Sequence, residues 1–236
     1  MEPSIVFAAA KAFGAGAGFL YRTTSRDYGV SITVKQSSST YSLFVPHAVN
    51  VKQCSPPSPD EIVNNTRPAA RWIKRNRALP IGVGEFSVIV QPKHGTSVVI
   101  DGIAVHTRIA HQVSGIALKQ ALGGPIVAIS LEIDLNTKRV RCIDSSNFPK
   151  ETRIDPLFSV CSDQPLVLRV SGAASAEAVL WQLELSMVVD GHVVKRRVPA
   201  EGEWITVPDD YDGVCQEYRS SNNTWVLSAV NARPEN

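Results

Sequence analysis

The stretch that decides the fold is EAVLWQLELSMVVDGHVVKRRV, residues 177–198. Val179, Trp181, Leu183, Leu185 and Met187 fall on one side of an extended chain and Gln182, Glu184 and Ser186 on the other, the alternation of a strand with one buried face. Asp190-Gly191 then supplies the two positive φ angles of a two-residue type I′ turn, and HVVKRRV returns beside the first arm in fixed register. One hairpin cannot bury its own apolar face, so further strands are required over Trp181.

Those strands are legible on both sides of the hairpin. Upstream, YGVSITVKQ at 28–36 alternates, as do Phe86, Val88 and Val90 before Pro92. The run from Val98 to Ile109 is interrupted at Asp101-Gly102, where a bulge or tight bend is expected. IVAISLEIDL at 126–135 reads as a strand that Asn136-Thr137 turns into KRVRCID, and Leu157 to Val160 and Leu166, Leu168 and Val170 add two more. Leu43 and Val45, with Val49 to Val51, suggest a short irregular edge segment, since Pro46 removes a donor from the ladder. SPPSP at 55–59 reads as a stiff extended connector, SGIALKQALGG as a loop with at most one helical turn, and 145–156 as a polar loop. Downstream, 204–207 and 225–230 read as closing strands separated by a long loop, PDDYDGVCQEYRSSNN. The fold class expected is all-β: a two-sheet antiparallel β-sandwich, Ig-like, with one internal amphipathic helix and an N-terminal helical arm.

That internal helix is predicted over 66–77, with Thr66 as N-cap, Pro68 in the first turn and Leu79-Pro80 as its stop. Ala69, Trp72 and Ile73 share one side; Arg67, Arg71, Lys74 and Arg75 share the other and form the one candidate binding site, for a polyanion. Residues 1–27 make an arm distinct from the β domain at 28–236. Its apolar part, 4–20, carries Lys11 and three glycines and falls short of the roughly 20 apolar residues of a spanning helix, so association with a membrane surface is the most it suggests.

A chain of 236 residues with 44% apolar and 19% charged residues is globular, and a net charge of +2 drives no whole-molecule attraction to nucleic acid. Cys54, Cys142, Cys161 and Cys215 lack CxxC or CxH spacing, so they are two disulfides in an oxidising compartment or four thiols in a reducing one. His47, His94, His106, His111 and His192 form no HxH or HExxH pair; His106 and His111, five apart on one expected strand, would face opposite ways. Asp210, Asp212 and Gly213 stand at calcium-loop positions, but the first position is Pro208 and the twelfth is Arg219 instead of glutamate, which rules out an EF-hand; a looser surface cation site of Asp209, Asp210 and Asp212 is the alternative to an ordinary acidic loop. Gly82-Val83-Gly84 and Gly123-Gly124-Pro125 lack the spacing of a phosphate cradle, and no GxSxG elbow is present. No catalytic residue, metal or cofactor is called for.

SITVKQ, RPAARWIKRNRALPIGVGEFSVIVQ, SVVIDGIAVHTRI, IVAISLEIDL and the 179–198 hairpin together resemble an uncharacterised family of all-β proteins from high-GC Gram-positive bacteria. The resemblance covers about residues 30–207. It implies an N-terminal hydrophobic segment, an Arg-Ala-Trp type helix and a β-sandwich domain, and it implies no activity. The function expected is a non-enzymatic interaction module, membrane-associated through its arm. Another protein is its expected partner, an anionic membrane surface is the next, and nucleic acid is not expected. The alternatives are a hydrolase-like enzyme with a site built from dispersed loops, and polyanion binding through the basic helix.

Overall fold

The computed structural model describes residues 21–24, 29–36, 42–120, 130–143 and 158–228. In chain order it runs β1 (Tyr21–Thr24), β2 (Val30–Gln36), β3 (Leu43–Pro46), α1 (Val51–Cys54), α2 (Pro59–Val63), α3 (Arg67–Asn76), β4 (Leu79–Pro80), β5 (Val83–Pro92) and β6 (Val98–Ile109). There follow β7 (Gly115–Lys119), β8 (Ser130–Asp134), β9 (Arg139–Ile143), β10 (Phe158–Val160), β11 (Leu166–Ala173), β12 (Val179–Val189), β13 (His192–Val198), β14 (Trp204–Thr206), β15 (Val214–Ser221) and β16 (Thr224–Leu227).

The hairpin forms as its sequence dictates. Asp190 and Gly191 take φ angles of 47° and 82°, and the register runs from Val189↔His192 to Leu183↔Val198. The Asp190 carboxylate accepts the Ser97 N–H at 2.8 Å, which pins the turn to the start of β6. β12 pairs with β6 along its whole length, and the register skips Asp101 between Gly102 and Ile100, the bulge expected at that dipeptide.

Two sheets pack through the Trp181 face. One has the order β1-β2-β5-β11-β8-β9; the other runs β10-β6-β12-β13, with β14 beside the N-terminal end of β12. Alternate residues of β2, β5, β8 and β11 meet Val179, Trp181, Leu183, Leu185, Met187 and Val189 from β12. Trp181 is 0% exposed. Its ring lies 4.6 Å from Trp204, which stacks on Phe86 at 4.2 Å, and its Nε1–H donates to Thr206 Oγ1 at 3.0 Å, so the indole's polar atom is satisfied inside the core. Space for this aromatic group comes from a cross-strand glycine pair, Gly84↔Gly172. A Cβ on Gly172 would lie 2.5 Å from Trp181 Cζ2, and one on Gly84 would lie 2.6 Å from Thr206 Oγ1.

The all-β class holds, and the layering exceeds the two sheets expected. A third sheet, β16-β15-β7-β3-β4, lies against the opposite face of the β12–β14 region, where Leu180, Ile205 and Val207 meet Phe44, Ala117 and Tyr211. Its other face is covered by α1, α2 and α3, with Leu43, Val45, Ile116, Leu118 and Tyr218 packed on Cys54, Ile62, Ala69 and Trp72. Two pairings, β11 with β8 and β15 with β7, are parallel.

This third sheet accounts for most departures from the sequence reading. Residues 115–119, expected as loop, are β7, buried on both faces and therefore without the alternation that marks a half-buried strand. Residues 214–221, expected as part of a long loop, are β15, turned into β16 by Asn222 and Asn223 at φ 46° and 56°. β3 is interior, between β7 and β4, and not an edge. The connector SPPSP holds the start of a helix: Ser58 and Glu61 form a capping box and Pro59 opens α2. His111 lies past the end of β6, and β1, drawn from the arm, pairs with β2. The rest of that arm, including 4–20, and the loop 145–156 lie outside the described residues.

Candidate functional site: the cationic face of α3

Local sequence sets α3 in place. Thr66 Oγ1 accepts the Ala69 N–H at 3.4 Å, Pro68 occupies the first turn, and the chain leaves the helix at Arg77, whose φ is 52°. Ala69, Ala70 and Trp72 are buried, and Trp72 Nε1–H donates to the Cys54 carbonyl at 2.6 Å, locking the helix to the end of α1. The β15–β16 hairpin holds the same layer through Trp225 Nε1–H on the Pro57 carbonyl at 2.7 Å and Asn223 Oδ1 accepting the Asp60 N–H at 3.0 Å.

With that face committed, the structure turns Arg67, Arg71, Lys74 and Arg75 outward, all exposed, within an arc of about 100° at 100° per residue. The sequence reading of this face is thus brought together as one surface. Arg67, Arg71 and Arg75 are spaced four residues apart, a rise of about 6 Å per step. Among the described residues none of these three guanidiniums forms an ion pair. The helix contains no carboxylate of its own. Like charges at i,i+4 destabilise a helix by roughly 0.2–0.5 kcal/mol a pair, and here Arg67–Arg71 and Arg71–Arg75 both oppose folding. Arg77 adds a fifth cation at the helix end, in a left-handed position that glycine normally fills.

Several charged residues elsewhere are paired. Glu217, 4% exposed, lies between Lys119 Nζ at 3.1 Å and Arg219 Nε at 2.7 Å. Burial pushes its pKa up, and the hydrogen bonds and charges of Arg219 and Lys119 outweigh burial, so the carboxyl sits below its ordinary range. Glu184 gathers Lys195 at 3.3 Å, His106 at 3.3 Å and Arg197 at 3.9 Å on the outer face of the second sheet, and Arg108 pairs with Glu203.

The residues tested for reaction chemistry do not converge. All five histidines are exposed, and the one histidine–carboxylate contact among the described residues, His106 with Glu184, lies on an open sheet face. A groove of about 510 Å³ on the outer face of the first sheet is lined by Val83, Glu85, Glu132, Asp134, Arg139, Arg141 and Ser171 among others, with no histidine. Among the described residues no cluster of three metal-ligating side chains exists. The acidic loop is organised by packing: Tyr211 is buried and its hydroxyl accepts the Val113 N–H at 3.0 Å, while the Asp209 carbonyl accepts Lys119 Nζ at 2.9 Å. Cys54 is buried, where burial raises its pKa, and Cys161 and Cys215 are exposed.

No family model, no curated protein and no solved structure matches this chain.

Proposed function

We propose that this chain is a non-enzymatic binding module that takes a polyanion, a ligand of closely spaced phosphates or sulfates, on the exposed face of α3. The observation that carries the reading is the set of three helical guanidiniums, Arg67, Arg71 and Arg75, unpaired among the described residues on a helix with no carboxylate. A helix that only faced water would intersperse acidic residues; this one keeps repulsive pairs that a bound anion would relieve. Among the described residues of α3 no exposed aromatic accompanies the stripe, since Trp72 is buried, so recognition would be of charge and not of bases. Among the described residues no helix is long and apolar enough to cross a membrane, and association with an anionic lipid surface belongs to the same charge-based reading.

Titration with polyphosphate and heparin at several salt concentrations tests the proposal, with single-stranded nucleic acid and with anionic against neutral vesicles as further arms. Binding should weaken with salt, and the logarithmic slope should fall by about 0.7–0.9 for each of Arg67→Ala, Arg71→Ala and Arg75→Ala. These side chains are exposed, so the melting temperature serves as the control for folding. Absence of binding to every probe at low salt, or a slope indifferent to all three substitutions, would reject it.

A further inference from the structure

β13 is an edge strand: among the described residues it pairs with β12 alone. The two-residue turn makes Val189↔His192 a hydrogen-bonded pair, and the antiparallel ladder then alternates, so the backbone N–H and C=O of Val193, Lys195 and Arg197 point away from β12. Proteins normally blunt such an edge with lysine, proline or a bulge. Here β13 has no proline and no register shift. Two of its cations are drawn over the sheet, Lys195 Nζ and Arg197 Nε reaching Glu184 on the neighbouring strand at 3.3 and 3.9 Å, while Arg196 Nη1 donates to the Lys195 carbonyl at 3.0 Å and covers that one acceptor. Val193 is 68% exposed at the turn end of this open rim, with Val188 its cross-strand neighbour.

We propose that β13 accepts an extended acidic segment of another protein as an added strand. The backbone N–H groups of Val193, Lys195 and Arg197 and the carbonyls of Val193 and Arg197 supply the ladder, Val193 supplies an apolar seat, and Lys195 and Arg197 supply the charge preference. His106, Glu184 and Ser186 are the polar groups that face this edge from β6 and β12, and Glu184 is the one acid among them. Two fixed cations on that face of the strand, Lys195 and Arg197, against that one carboxylate leave the rim positive. A second copy is the poorer occupant: antiparallel pairing of β13 with itself about Lys195 would set Lys195 opposite Lys195 and repeat the basic run against itself. This edge is a surface separate from α3, and neither proposal depends on the other.

The test uses the full chain carrying Arg67→Ala, Arg71→Ala and Arg75→Ala, so that α3 does not contribute, and a short fluorescent peptide alternating glutamate and valine. Three comparisons follow. The same peptide N-methylated at alternate residues keeps its charge but cannot extend a ladder; its affinity should fall by about tenfold for each hydrogen bond lost. A peptide with lysine for glutamate should not bind. Val193→Pro removes an outward N–H and no bond to β12, so the protein should fold and lose the peptide. If Val193→Pro fails to fold, the N-methylated peptide still decides the matter on unaltered β13. Equal binding of parent and N-methylated peptides would reduce the effect to charge and overturn strand addition. Failure of the parent peptide to bind, or dimerisation that Val193→Pro abolishes, would overturn it as well.

Discussion

Gly172 is where a single residue does most to position the core. Its missing side chain lets Trp181 Cζ2 sit where a Cβ would come within 2.5 Å, and the ring is wedged between Phe86 and Trp204 with nowhere to retreat. Gly172→Ala should therefore cost about 1–3 kcal/mol through overpacking, and Trp181→Ala about 3–5 kcal/mol through the cavity it leaves, both read from urea denaturation. Combining Gly172→Ala with Trp181→Phe should cost less than the sum of the two, because the smaller ring vacates the space the methyl needs. The pairing of Trp181 with a glycine was not legible in the sequence, since it depends on which strands face each other. Asp190-Gly191 was legible because a two-residue turn needs only its own φ angles. Glu217 gives a pH prediction. Its folded pKa is lowered, so its contribution is full above the unfolded carboxylate pKa, near 4.3, and is lost as pH falls through the lower folded value. Glu217→Gln should cost about 1–2 kcal/mol at neutral pH and flatten the decline in melting temperature below about pH 4.

At the scale of elements, legibility followed the number of buried faces. β12, buried on one side for most of its length, and α3, with one apolar side and a threonine cap, carry their periodicity and stop signals in the local sequence. β7 is buried on both faces and shows none. β15 is polar, VCQEYRSS, and becomes a strand through its parallel partner β7 and the ion pairs of Glu217, neither of which is a local signal. The capping box of α2 could have been found, because Ser58 and Glu61 stand three apart before Ile62; the flanking prolines obscured it. The same layer yields a test of how the cationic face is held. Trp72→Ala removes the indole buried among Leu43, Val45, Ile116 and Leu118 and its bond to the Cys54 carbonyl. It should destabilise the chain by about 3–5 kcal/mol in denaturant titration. Thr66→Ala, which removes only the cap, should cost about 1 kcal/mol and leave the arginines exposed.

The described residues form a stack: first sheet, second sheet, third sheet and a helical layer, with apolar packing across each junction and Glu217 as the one buried carboxylate among them. The sequence reading found the junction around Trp181 and missed the one built on Phe44, Ala117 and Leu180, because Leu180 lies on the face of β12 that reads as polar from Gln182 onward. Such a stack supports binding at α3 and at the rim of β13, and it requires that the junction between the first two sheets be closed to water. Exchange of the Trp181 indole N–H with deuterium, followed by NMR with the resonance assigned through Trp181→Phe, measures this closure directly. The chain has four tryptophans, so the signal is separable. Buried at 0% exposure and bonded to Thr206, that proton should exchange only on global unfolding and persist long after exposed amides have vanished. Exchange at the rate of a solvent-exposed indole, in a chain that remains folded, would contradict the filled interface on which the rest of the account stands.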